Sequence, residues 1–154
     1  LLAPGHAVAN CSPVSGNVPT APDARFVDNG NTTITDVSTG LMWSQAVQGA
    51  AVTHAEALSL AEASTLGSFT DWRLPTRAEL VGLVESACVD PAFNTSRFND
   101  GGHRVIWSAS AGPGATFWFV DFTYGSDAVE PAGARKGVRL VRNADGGIFA
   151  NGFE

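Results

Sequence analysis

Cysteine, lysine and long apolar runs are all scarce in this chain. Two cysteines in 154 residues, Cys11 and Cys88, are too few for a disulfide-dense miniprotein or a cysteine-rich zinc site. A single lysine, Lys136, stands beside eight arginines, and these nine cations face fifteen acidic residues for a formal charge of −6. Such a balance lacks the basic footprint that phosphate backbones demand, so no nucleic-acid partner is expected. No apolar run approaches the roughly 20 residues of a membrane-spanning helix, so no membrane insertion is expected either. Charged residues are only 16% of the chain and apolar residues 44%, a combination that excludes intrinsic disorder. The 17 glycines and eight prolines follow no Gly-X-Y period, which excludes collagen. What remains is a compact soluble chain of one ordinary domain's length.

Two cysteines fit one bridge, spanning 77 positions from 11 to 88 and worth about 4–5 kcal/mol in the chain-entropy picture. Two unrelated thiols are the alternative. A bridge implies an oxidising compartment. Residues 1–9 read LLAPGHAVA and end in Ala7-Val8-Ala9, the small-x-small pattern of a signal-peptidase site. A flexible Ala/Pro-rich leader reads the same way. Secretion or surface display is expected, with the periplasm as the other oxidising location.

Along the chain, residues 1–24 hold four of the eight prolines and read as an extended arm. Residues 25–143 form the domain, and 144–154 a tail. Strands are expected at Arg25-Phe26-Val27, at Thr33 to Val37 and at Leu41 to Ser44. Thr53-His54-Ala55-Glu56 and Thr76-Arg77-Ala78-Glu79 are capping boxes that open two helices. The first should run to Gly67. In the second, Leu80, Leu83, Val84 and Ala87 keep a helical spacing until Asp90-Pro91. Pro91 to Arg104 reads as a polar surface loop. Strands follow at Val105 to Ser108, Thr116 to Phe122 and Val138 to Val141, the middle one apolar on both faces and therefore central. Tyr124 to Lys136 reads as a second long loop. Strands, two helices and then strands make an α+β order, with two helices flanking a small, mostly antiparallel sheet.

Several strings in this order resemble a known family. Thr35-Asp36-Val37-Ser38-Thr39-Gly40-Leu41-Met42-Trp43 is similar to its opening. Ala55-Glu56-Ala57-Leu58 and Asp71-Trp72-Arg73-Leu74-Pro75-Thr76 with Glu79-Leu80 resemble its centre. Trp107-Ser108-Ala109-Ser110, Phe117 to Phe122, and Val138-Arg139-Leu140-Val141-Arg142 resemble its last blocks. The family is the C-terminal domain of the bacterial collagen-like adhesin Lcl, long a domain of unknown function. The resemblance implies a C-type-lectin-like fold, related to formylglycine-generating enzymes, in which N- and C-terminal strands pair and long loops form a ligand face. It implies a bacterial surface setting, and the adhesin that names the family binds sulfated glycosaminoglycans. No collagen-like repeat lies within these 154 residues, so that adhesin's trimerisation is not carried over. The acidic balance argues against sulfated glycans.

The tryptophans Trp43, Trp72, Trp107 and Trp118 read as scaffold, since aromatics in apolar strands are usually core. Arg73 is expected to pair with a carboxylate; a stacking clamp made with Trp72 is the functional alternative. Arg139, if buried, needs a carboxylate too, with Asp121 the candidate. Glu130-Pro131 resembles a calcium- and sugar-binding tripeptide of true C-type lectins, but Ala132 brings no side-chain oxygen. Calcium would need Asp127 and Glu130 with Asn94, Asn99 and Asp100 from a converging loop. No cofactor is expected beyond that weak calcium candidate, and His6, His54 and His103 are too scattered for zinc. There is no G-x-S-x-G, no H-E-x-x-H and no Cys after Cys88, so no catalysis is expected. The ligand face falls to the two loops: Tyr124 as an aromatic platform, and Arg97, Arg104, Arg135 and Lys136 as donors. The function expected is recognition of an extracellular glycan or protein, with a structural or assembly module as the alternative and a degenerate enzyme-like domain behind both.

Overall fold

The computed structural model describes residues 12–13 and 16–144. The expected leader, Cys11 and the tail beyond Ala144 lie outside the described residues. The strands are β1 (Ser12–Pro13), β2 (Phe26–Asp28), β3 (Thr33–Asp36), β4 (Leu41–Ser44), β5 (Cys88–Val89), β6 (Val105–Ala111), β7 (Thr116–Asp121), β8 (Ser126–Pro131) and β9 (Val141–Asn143). Two α-helices, α1 (His54–Ala63) and α2 (Arg77–Val81), fall between β4 and β5. The architecture is α+β, with mostly antiparallel sheets.

The N-terminal hairpin and the C-terminal strand share one sheet, ordered β2-β3-β4-β9. The β3–β4 turn closes because Gly40 adopts φ +74°, open to glycine without a Cβ penalty, and donates its N–H to Asp36 O. Leu41 pairs with Asp36 and Trp43 with Ile34, so side chains of like parity share a face. Arg73 exchanges two backbone hydrogen bonds of 3.0 Å with Val141, laying the Asp71-Trp72-Arg73 string against the outer edge of β9. A second sheet, β6-β7-β8, sends Ile106 and Val120 into one apolar cluster and Trp107, Phe117 and Phe119 into another.

Both expected caps form. The Thr53 hydroxyl accepts from the Glu56 N–H to start α1, and Thr76 with Glu79 completes a reciprocal capping box on α2. The second helix, however, stops at Val81 rather than at Asp90. Beyond Gly82 the chain is gathered around the Glu85 carboxylate, which is fully buried and accepts N–H bonds from Thr20, Ala21 and Ala87. These bonds need Ala87 and Glu85 turned toward each other, which a continued helix forbids. Leu80, Leu83 and Ala87 still enter the core, so the periodicity reported burial correctly and helix length wrongly.

Three further expectations are corrected. Pro91 to Arg104 is not a surface loop: Ala92, Phe93, Asn94 and Phe98 are buried, and the Asn94 amide bonds Ala21 O and Asp23. The loop from Tyr124 to Lys136 contains β8, paired along the whole of β7; its sparse apolar content hid it. The last strand is Val141–Asn143, because Leu140 N–H turns to the Ser44 hydroxyl instead of a ladder carbonyl. β7 is central as expected, though Phe117, Trp118 and Phe119 are only half-buried. The described part of the arm, residues 12–13 and 16–24, lies against the body, with Ser12–Pro13 paired to Cys88–Val89 and Ala21 fully buried.

Candidate ligand-binding site

The expected loop cations are all engaged inside the chain. Lys136 is 7% exposed; its Nζ donates to Glu130 at 2.8 Å and sits 3.9 Å from the Phe119 ring centroid. Arg97 Nε donates to Phe26 O. Arg104 pairs with Asp100 at 2.6 Å and Asp90 at 3.5 Å. Arg135 lies 3.7 Å from Glu56. Tyr124, on the β7–β8 turn, is 73% exposed, and the Arg135 side chain is 62% exposed. Arg104 and Tyr124 share one end of the second sheet, where Phe122 N–H bonds Arg104 O and Asp90 N–H bonds Thr123 O. Arg135 is tied instead to the start of α1.

Asp127 and Glu130 lie three apart on β8 and so point to opposite faces. Asp127 pairs with Arg77 at 2.5 Å and Glu130 with Lys136, an arrangement that does not converge on one cation. Asn94 is consumed by backbone partners. Among the described residues no group of three or more metal-ligating side chains gathers.

The signature residues divide. Trp43, Trp72 and Trp107 are core, and the Trp72 and Trp107 indoles donate to Leu66 O and Val52 O. Trp118 is not core: half-buried, it lies under the Arg77 guanidinium, 3.5 Å from its ring centroid. Arg73 does find its carboxylate, bonding Glu79 with both Nη atoms at 2.7 and 2.8 Å. Arg139 is buried, but its partners are carbonyls, those of Ser44, Gln45 and Asn99, at 2.8–2.9 Å. Burial lowers its pKa to about 10, with Asp100 opposing the shift. Asp121 instead accepts the Thr123 N–H at the β7–β8 turn.

What the sequence did not reveal is a cleft between the β3–β4 hairpin and α2. It encloses about 330 Å³ and is lined by Arg25, Asp36, Thr39, Leu41, Trp43, Ala78, Glu79 and Gly82, at the small end of ligand pockets. Pairing of Asp36 with Leu41 and Ile34 with Trp43 puts the strand contributors on one face. The α2 capping box sets Glu79 opposite them. Arg25 bonds Asp36 in a bidentate pair of 2.9 and 2.6 Å. Burial disfavours the Asp36 charge, yet the bonds from Arg25 and Ser38 outweigh it and hold the carboxyl below its ordinary pKa. Glu79 is likewise lowered: burial opposes, and Arg73 with the Thr76 N–H prevails. Both groups are carboxylates at neutral pH, suited to accepting hydrogen bonds and not to donating protons. Trp43 is 1% exposed, and its Nε1–H has no hydrogen-bond partner, a deficit that costs about 1–3 kcal/mol when left unmet.

The family model of the Lcl C-terminal domain matches residues 32–142. The chain belongs to this family. No curated protein matches it. In this Lcl C-terminal domain the cleft is built by two strings that lie far apart in sequence: Asp36, Thr39, Leu41 and Trp43 come from the first, and Glu79 follows the Asp71-Trp72-Arg73-Leu74-Pro75-Thr76 run. Each string by itself reads as scaffold. Only their convergence, through the sheet register and the α2 cap, makes a concave surface.

Proposed function

We propose that this Lcl C-terminal domain is a non-catalytic, secreted or surface-displayed ligand-binding domain of C-type-lectin-like fold that recognises an extracellular glycan or protein. The observation that carries the reading is the cleft itself, a concavity lined by the carboxylates of Asp36 and Glu79, the Thr39 hydroxyl and the apolar Leu41 and Ala78. The fold assignment is supported by the pairing of N-terminal β4 with C-terminal β9 beside two helices. The compartment is supported by Cys88, which is not a free thiol. Of the loop cations, Lys136 is buried against Glu130, while Arg135 stays exposed and available to a ligand.

The test is binding of the full chain to an array of neutral, sialylated and sulfated glycans, with calcium and again with a chelator, beside the variant Ala78→Trp. Ala78 is exposed on α2 and lines the cleft, so an indole there fills the space without disturbing the core. Binding that Ala78→Trp abolishes and Tyr124→Ala leaves intact places recognition in the cleft. The reverse pattern moves it to the β7–β8 turn. No glycan binding, with oligomers that grow with concentration, would replace this reading with an assembly module.

A further inference from the structure

We infer that the outer edge of β8 accepts an extended segment of another protein, added as a strand and carrying basic side chains three positions apart.

An unpaired strand edge is a row of free N–H and C=O groups, the template for strand addition. Such edges are scarce in the two larger sheets. Among the described residues, Gly137 covers the outer edge of β6, its N–H bonding Val105 O and its carbonyl taking the Trp107 N–H, while Pro75 O takes the Ala109 N–H. Arg73 covers β9. β2 is three residues long; its Phe26 N–H goes to Asp23 O, and Phe26 O takes Arg97. β8 is six residues long and paired on one side only.

The register fixes which groups of β8 face outward. Ala132 N–H bonds Ala115 O just past the strand, and facing residues of an antiparallel pair alternate between bonded and non-bonded. Ser126, Ala128 and Glu130 therefore bond β7, opposite Asp121, Phe119 and Phe117. Asp127 and Val129 turn their N–H and C=O groups away from β7, and no described group bonds them. Pro131 falls on the same outward parity, where a residue without an N–H leaves the ladder intact. An antiparallel strand laid against β8 would form bonded pairs with Asp127 and Val129, using all of these outward groups.

Side chains select the partner. β8 carries two acids and no base. Asp127 and Glu130 pair with Arg77 and Lys136, yet both stay partly exposed. Opposite charges on adjacent strands stabilise the pairing, and like charges weaken it. Asp127 and Glu130 lie three apart, so basic residues at the same spacing on the partner face both. Two copies of this chain, each of net charge −6, would repel. Ala128 and Val129, between the acids, suit small or β-branched neighbours.

The experiment measures amide hydrogen exchange and ¹H–¹⁵N shifts in the full chain. The probes are two blocked heptapeptides of threonine and valine, one with lysine at its second and fifth positions and the other with glutamate there. At about ten times the Kd read from the shifts, the lysine peptide should slow exchange at the Asp127 and Val129 amides roughly tenfold. Ala128 and Glu130, already bonded to β7, should be unaffected. Val129→Pro deletes an outward N–H and no ladder bond, and should abolish binding. Wild-type exchange alone decides the matter should that variant fold poorly. Equal protection by both peptides, or protection by neither, would overturn the inference. So would protection at Asp127 and Val129 that grows with protein concentration and without peptide, which would give the edge to a second copy. None of these outcomes bears on the cleft.

Discussion

Glu85 accepts the Ala21 N–H at 2.9 Å across 64 positions of sequence, with both residues fully buried. The same carboxylate takes the Thr20 N–H at 2.8 Å and the Ala87 N–H at 3.0 Å, so one buried anion fastens the N-terminal segment to the turn that ends α2.

Replacing Glu85 by Gln puts an NH₂ group among backbone donors and leaves one of them unmatched. Glu85→Gln is expected to cost about 2–3 kcal/mol by urea denaturation, the range for hydrogen bonds to a charged group. Hydrogen exchange at the Thr20 and Ala21 amides should accelerate beyond the global loss. Unchanged protection at those two amides would contradict the fastening role.

Arg139 holds together three carbonyls from two separate segments, Ser44 and Gln45 at the end of β4 and Asn99. Arg139→Met removes the guanidinium bonds from all three, with Gln45 O keeping only the Asn99 N–H, and a loss of roughly 2–4 kcal/mol is expected. Arg139→Lys keeps the charge but not the fork, so its midpoint in denaturant should fall between wild type and Arg139→Met. A lysine variant as unstable as the methionine one would point to shape instead of donor count.

Acid should unfold the protein through a few carboxylates. The Arg142 hydrogen bond lowers the Asp71 pKa. In Asp36 and Glu79 burial opposes the charge, and the hydrogen bonds from Arg25 and Arg73 overcome it. A carboxyl lowered by folding adds stability that is complete above its unfolded value, 3.8 for Asp and 4.5 for Glu, and is lost as pH falls through the folded one. Melting temperature should therefore stay level near neutrality and drop below about pH 4.5. Asp36→Asn should lower the plateau and flatten the acid limb; an acid limb of unchanged slope would remove Asp36 from the account.

Cys88 is buried and not a free thiol, and Ser12–Pro13 pairs with Cys88–Val89. Alkylation without reductant followed by mass spectrometry should find no reactive thiol, and a linked peptide containing Cys11 and Cys88. The double variant Cys11→Ala, Cys88→Ala should lose at most about 4–5 kcal/mol. Two alkylated cysteines in the native chain would dismiss the bridge.

Much of the fold was legible locally. The β-branched run at Thr33, the glycine turn at Gly40 and both threonine caps each act over a few residues, and each formed where the sequence put it. The failures were of another kind. Leu80, Leu83 and Ala87 carry a helical period that the chain abandons, because the Glu85 carboxylate recruits amides from residues 20 and 21. Ser126–Pro131 carries little apolar signal and becomes a strand because β7 offers it a full ladder. Phe93 and Phe98 sit in a polar stretch yet enter the core.

The candidate site divides along the same line. The sequence by itself determined the composition class, the α+β order, the family strings, the caps that begin the helices and the pairing of Arg73 with a carboxylate, since all of these rest on short-range spacing or on residue chemistry alone. It also supplied the loop cations as donors, and the tertiary structure added a partner for each, Glu130 for Lys136, Asp100 for Arg104, Glu56 for Arg135 and Phe26 O for Arg97. Only the folded chain could set Trp43 and Glu79 on the walls of one cleft. Their meeting depends on strand register and on how α2 packs against the sheet, long-range contacts for which no local pattern in the sequence stands.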